Sequence, residues 1–155
     1  MKIVSLALAS ALILPSIASA AQPVIRVGAP NSPIASLVLV PAGSDIAYVS
    51  GATPGQPGMP KPVGTQAQTV DVLTKISALL KAQGMTMGDI VVMRVFLGVD
   101  PDKGGHADRE GMNAGFKQFF GTADQPNKPA RTTIAVTDMA PGSFVEIDAQ
   151  AVRPH

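Results

Sequence analysis

The chain of 155 residues has no cysteine and no tryptophan, one tyrosine (Tyr48) and two histidines. Without cysteine there is no thiol nucleophile, no thiolate-held metal and no disulfide, so the core or an assembly of subunits must supply stability. Aromatic residues make up only 4% of the chain, too few for a surface that stacks nucleic-acid bases. His106 and His155 have no second histidine or carboxylate at ligand spacing, so both read as a loop and a tail histidine and not as metal ligands. A Ser-His-Asp triad would have to use His106, which follows Gly104-Gly105 in a loop poorly suited to orienting a base. Gly104-Gly105 follows Lys103 and does not lead into Gly-Lys-Ser/Thr, and no GxGxxG follows a strand. The familiar metal, nucleotide and triad signatures are therefore missing.

The N-terminus carries the first positive signal. Lys2 precedes an apolar run from Ile3 to Ile17 that ends in Ala18-Ser19-Ala20. A positive charge, a short apolar stretch and a small-x-small end describe a secretory signal peptide, with cleavage expected after Ala20. The run is too short and too rich in Ala and Ser for a comfortable membrane span, although an uncleaved anchor is the alternative. The expected organisation is a signal peptide over 1–20 and one domain over 21–155, exported to the periplasm or beyond. Lys2 is the only charge in 1–20, so the 12 basic residues become 11, equal to the 11 acidic ones. A mature chain of zero net charge has no electrostatic reason to bind nucleic acid or an anionic membrane.

The periodicity predicts short strands over Val24–Gly28, Leu37–Pro41 and Asp45–Ser50, then a proline- and glycine-rich surface loop over Thr53–Gly64. Val72, Ile76, Leu79 and Leu80 recur at helical spacing and predict a helix over Thr65–Gln83, closed by Gly84. Asp89–Val99 reads as a strand, and Arg109–Phe120 as a second helix weakened by Gly111 and Gly115. Arg131–Met139 and Phe144–Val152 read as two strands around the Pro141-Gly142 turn. In the last strand Val145, Ile147, Ala149 and Ala151 alternate with Phe144, Glu146, Asp148 and Gln150. Two helices crossing a sheet on one face make an α+β sandwich, and the mixed polar and apolar character of the other face suits a subunit interface.

Two charges stand out on strands. Arg131 opens one of the last two, and Glu146 lies on the next. A hairpin would set such positions on neighbouring rungs. A guanidinium there is a fork for a carboxylate, and a nearby carboxylate could hold or deprotonate a water. The plain alternative is a structural Arg–Glu ion pair.

The order of several motifs carries a resemblance. Gln66-Ala67-Gln68-Thr69 with Lys81-Ala82-Gln83-Gly84, then Met85 to Val91, then Val95-Phe96-Leu97, resemble the first helix and following strand of the YjgF/RidA (Rid) family. Met112-Asn113 and Phe119-Phe120 match its second helix, Pro129-Ala130-Arg131-Thr132-Thr133 its Pro-Ala-Arg segment, and Val145 to Ala151 its closing strand. Ser50-Gly51 matches the Ser-Gly after an early strand. The resemblance covers roughly residues 24–153. It implies a chorismate-mutase-like α+β fold with a mostly antiparallel or mixed sheet, a homotrimer with clefts between subunits, and cofactor-free hydrolysis of imines or enamines such as 2-aminoacrylate. It further implies that Arg131 holds the substrate carboxylate and Glu146 attends the attacking water. By the same resemblance Ser50, Gly51 and Asn113 line the cleft, and Thr133 contributes backbone where many members have cysteine. Ile34, in Ser32-Pro33-Ile34, stands where the family often has tyrosine, which makes that wall more apolar. A non-catalytic protein that binds a small carboxylate in the same cleft, and an RNA-directed nuclease, are the rival readings.

Overall fold

The computed structural model describes residues 21–155. The expected signal peptide lies outside the described residues. The elements run β1 (Ile25–Val27), β2 (Leu37–Leu39), β3 (Asp45–Ala52), α1 (Thr65–Ala82), β4 (Ile90–Leu97), α2 (Arg109–Phe116), β5 (Ala130–Ala135) and β6 (Val145–Arg153). β1 and β2 form a small antiparallel ribbon, and the other strands form one mixed sheet in the order β3-β6-β4-β5. β6 runs antiparallel to both neighbours, and β5 runs parallel to β4. This is the expected α+β class, with one difference. β5 and β6 are consecutive but do not form a hairpin, because β4 lies between them.

One face of the sheet is apolar and dry. Met93, Val95 and Leu97 of β4, with Val145, Ile147, Ala149 and Ala151 of β6, are 2% exposed or less and pack with Val72, Leu73, Ile76 and Leu80 of α1. Each such fully buried large aliphatic side chain stabilises the fold by about 1.5–3 kcal/mol relative to exposure. Leu79, expected on the inner stripe, instead points outward and is 57% exposed; Leu80 takes the inner place. Gln68 is the polar exception in the core. Its amide donates to the carbonyls of Pro62 and Gly142, and its oxygen accepts from the Phe144 N–H, so the loop before α1 and the turn before β6 are tied to the helix.

The ends of α1 follow local chemistry. Gly84 has φ of 68°, the left-handed conformation that stops the helix. Thr86 and Asp89 form a capping box on the short 3₁₀ turn before β4. α2 is shorter than its periodicity predicts and ends at Phe116, with Phe120 buried on the following turns. Gly115 is needed despite its cost to the helix: a Cβ there would lie 2.8 Å from Thr69 Cβ and 2.9 Å from the Gln66 carbonyl oxygen of α1. The helices cross at contact distance only because that atom is missing.

Candidate active site

β5 is an edge strand, and its side chains alternate between the two faces. Arg131 is registered with Met93 and Thr133 with Val95, so both lie on the helix-packed face. Arg131 reaches under α2. Its guanidinium carbon sits 4.3 Å from the centroid of the Phe116 ring, and Phe116 stacks on Phe120 with ring centroids 4.5 Å apart. Its Nη2 donates to Asn113 Oδ1 at 2.8 Å, and its Nη1 faces Met112 Sδ at 3.5 Å. Cation–π contact and one neutral hydrogen bond orient the fork but do not neutralise it. Among the described residues no carboxylate lies within 4.0 Å of Arg131. Its buried Nε–H and the buried Thr133 hydroxyl have no protein partner. Burial, and secondarily the charge of Arg109, lower the Arg131 pKa from the usual arginine value, yet a guanidinium stays protonated in a protein. A charged fork so placed is best satisfied by an anion. A hollow of about 280 Å³ joins Arg131 to Ile34, Ala35, Ala130 and Thr132.

Ile34 is brought there by the β1–β2 ribbon. Ala35 bridges to Ala130, its N–H donating to the Pro129 carbonyl at 3.0 Å. Lys128 pins the preceding loop through the carbonyls of Pro30 and Ser32.

Glu146 lies elsewhere. It is registered with Phe96, between the inward-facing Val145 and Ile147, so its side chain is on the open face of the sheet. Arg131 is registered through Met93 with Ala149, two strands across and three residues along from Glu146, which is roughly 14 Å between Cα positions at ordinary sheet spacings. The two side chains are on opposite faces of one sheet. They make no ion pair within the protomer, and neighbouring rungs do not unite them as a hairpin would.

The carboxylate of Glu146 is held beside Gly51. A Cβ on Gly51 would overlap it, lying 3.1 Å from Cδ, so glycine opens the space that the carboxylate occupies. Asp148, the next outward residue of β6, is neutralised by Arg94 at 2.9 Å, whereas Glu146 has no hydrogen-bond or ion-pair partner among the described residues. Ser50 and Gly51 line a hollow of about 330 Å³ with Tyr48, Arg94 and Asp148 on the same open face.

A family model described as Endoribonuclease L-PSP matches residues 29–153. RutC family proteins of Haemophilus influenzae and Saccharolobus solfataricus are each 31% identical, over 110 and 111 residues, covering 70% of this chain and 80% of theirs. The chain belongs to the YjgF/Rid family. Among solved structures, Escherichia coli TdcF with bound serine is 27% identical with a TM-score of 0.58, covering 83% of this chain and 98% of that one. The conserved Rid protein YyfB of Yersinia pestis, at 21% identity and TM-score 0.63, shares the fold over 78% of this chain and 87% of its own.

In this Rid chain the predicted site residues thus form two half-sites. Arg131, Asn113, Thr133 and Ile34 gather at the β5 edge, while Ser50, Gly51 and Glu146 gather on the open sheet face. The motif order missed Phe116 as the shelf for the guanidinium, and it missed Arg109, whose Nη1 lies 3.4 Å from the Thr133 carbonyl oxygen. Phe116, four residues after Met112 on the same face of α2, could have been found from that spacing; Arg109 could not. A larger hollow, about 720 Å³, is elsewhere, at the N-terminal ends of the two helices. Four carboxylates, Asp100, Asp102, Asp108 and Glu110, outnumber Lys103 in its lining, so it is less suited to an anionic ligand than the surroundings of Arg131.

Proposed function

We propose that this protein is an exported, cofactor-free homotrimeric hydrolase that converts a small carboxylate-bearing imine or enamine, 2-aminoacrylate-like or a bulkier 2-imino acid, to the 2-oxo acid and ammonia. The observation that carries the reading is the half-buried Arg131 guanidinium, shaped and oriented but lacking a carboxylate among the described residues. The substrate carboxylate takes the fork. Glu146 of a neighbouring copy accepts a hydrogen bond from water and turns the water oxygen toward the imine carbon. An enamine first takes a proton on its terminal carbon to become the imine. Water adds to the imine carbon as one of its protons passes to nitrogen. The nitrogen takes a second proton, and the C–N bond breaks to release ammonia while the hydroxyl of the adduct gives up its proton to leave the carbonyl. Imines hydrolyse readily without help, so positioning accounts for most of the acceleration required.

The placement of the half-sites supports the trimer. One protomer cannot bring Glu146 to Arg131, but an open sheet face packed against the β5 edge of another copy can. That face also exposes apolar side chains, Ile46 and Tyr48 of β3 and Ile134 of β5, which are 50%, 74% and 45% exposed. TdcF with bound serine is a relative that holds a small molecule with one carboxylate. The nuclease sense of the family description fits this chain poorly: residues 21–155 are of zero net charge and few aromatics.

Glu146→Gln separates the enzyme from a binding protein of the same fold. In the presence of an amino-acid oxidase that generates imino acids in situ, the variant is expected to lose accelerated ammonia release while still binding the 2-oxo acid product by calorimetry. Turnover equal to that of the unsubstituted protein would defeat the role given to Glu146. Export is checked separately by N-terminal sequencing of material from outside the cytoplasm, where a chain beginning at Ala21 is expected and one beginning at Met1 argues for an anchor.

A further inference from the structure

We infer that Arg109 is a specificity residue that selects substrates with a second carboxylate, making the preferred ligand a four- or five-carbon dicarboxylic imine. The inference rests on the deaminase reading of the Arg131 site and deepens it.

Arg109 is the first residue of α2, and its guanidinium crosses to β5, where Nη1 approaches the Thr133 carbonyl oxygen at 3.4 Å. Thr133 follows Arg131 by two residues on the same face, roughly 6.5 Å along the strand. Two guanidinium groups are therefore directed at one stretch of an edge strand. Their proximity is sufficient for the Arg109 charge to disfavour that of Arg131.

Nothing in the protomer compensates them. The nearby acids are committed or face away: Asp108 caps α2 through the Gly111 N–H and faces Lys103 at 3.7 Å, and Glu110 lines the separate hollow at the helix N-termini. Among the described residues, neither Arg109 nor Arg131 has a carboxylate within 4.0 Å. Arg109 is moreover a cation in the first turn of a helix, where the macrodipole opposes positive charge. Its one side-chain hydrogen bond among the described residues is the long one to the Thr133 carbonyl oxygen, which leaves its charge unpaired.

The spacing suggests the ligand. Carboxylates separated by two or three carbons span a distance comparable to that between adjacent same-face positions of a strand, so one can sit in the Arg131 fork while the other meets Arg109. The Thr133 hydroxyl, on the residue whose carbonyl Arg109 contacts, is buried and without a protein partner.

The test compares 2-iminoglutarate and 2-iminosuccinate with the monocarboxylic imines of 2-aminopentanoate and 2-aminobutyrate, all generated in situ by oxidases. The expected result is a kcat/KM at least tenfold higher for the dicarboxylic member of each pair. Arg109→Gln should lower that ratio about tenfold, and Arg109→Lys should restore part of it, with thermal melts confirming that both variants fold. Hydrolysis of all four imines at similar rates, or a ratio unmoved by Arg109→Gln, overturns the inference and leaves the deaminase reading standing. If no imine is hydrolysed, that reading fails instead. Calorimetry then decides the inference alone: tighter binding of 2-oxoglutarate than of 2-oxopentanoate, abolished by Arg109→Gln, supports it, and equal affinities overturn it.

Discussion

Arg131→Ala is expected to lower kcat/KM for 2-imino acids by about 30-fold to several thousandfold, corresponding to ~2–5 kcal/mol for loss of a desolvated charge-assisted pair. The upper part of the range requires a site closed off from water, which the half-buried guanidinium attains only when a second copy covers the β5 edge. The guanidinium is under α2, stacked on Phe116, and its Nε–H is buried without a partner. A carboxylate arriving there exchanges bulk water for an oriented two-pronged donor that needs little reordering. Arg131→Lys is the informative control. It keeps the charge but loses the fork, the Asn113 contact geometry and the flat face against Phe116, so it should recover only a small part of the activity. The fold should tolerate Arg131→Ala well, because the cation is uncompensated in the free protomer and its removal leaves no buried charge behind. The measurement is ammonia release from oxidase-generated imines, read beside a thermal melt. Undiminished release by a well-folded Arg131→Ala protein would remove the site proposed here.

How much of this was legible beforehand depends on which physical signal each feature leaves in one dimension. The inner face of β6 was readable residue by residue, because Val145, Ile147, Ala149 and Ala151 alternate with polar neighbours and all four are buried. Gly84 was readable as the end of α1, because a left-handed residue after a helix has a chemical signature. The partners of a strand leave no such trace. Period-two alternation assigns a face but not a neighbour, and the Pro141-Gly142 turn between β5 and β6 invited a hairpin that the sheet does not contain. The insertion of β4 between them is a property of non-local pairing. It matters for function, since it places Arg131 and Glu146 on different faces and different strands. The choice between Leu79 and Leu80 was similarly undecidable from spacing, because adjacent leucines at the edge of a helical stripe satisfy the same period. The resemblance named Arg131, Glu146, Ser50, Gly51, Asn113, Thr133 and Ile34 individually; their division into two groups became visible only with the strand register. Arg109 left no signal of its own, since a charged residue opening a helix is ordinarily a solvated one.

That division leads to the second large effect. Arg131→Ala and Glu146→Gln proteins, each inactive when alone, are expected to regain activity when co-expressed and assembled together. If every cleft takes its arginine from one copy and its glutamate from the next, a ring of mixed subunits contains some clefts with both groups intact. Random assembly of equal amounts restores about one quarter of the clefts in a closed cyclic oligomer. A site contained in one protomer could not be repaired in this way, whatever the oligomeric state, because every copy would carry one of the two lesions. The opposite-face placement argues for the shared cleft: roughly 14 Å of packed sheet cannot be bridged by a glutamate and an arginine that also grip one small imino acid. Purified separately and mixed without subunit exchange, the same two proteins should stay inactive. Ammonia release near one quarter of the unsubstituted rate in the co-expressed sample fits a cleft built by two copies, and no recovery in a verified mixed oligomer would show that Glu146 does not serve the Arg131 of its neighbour.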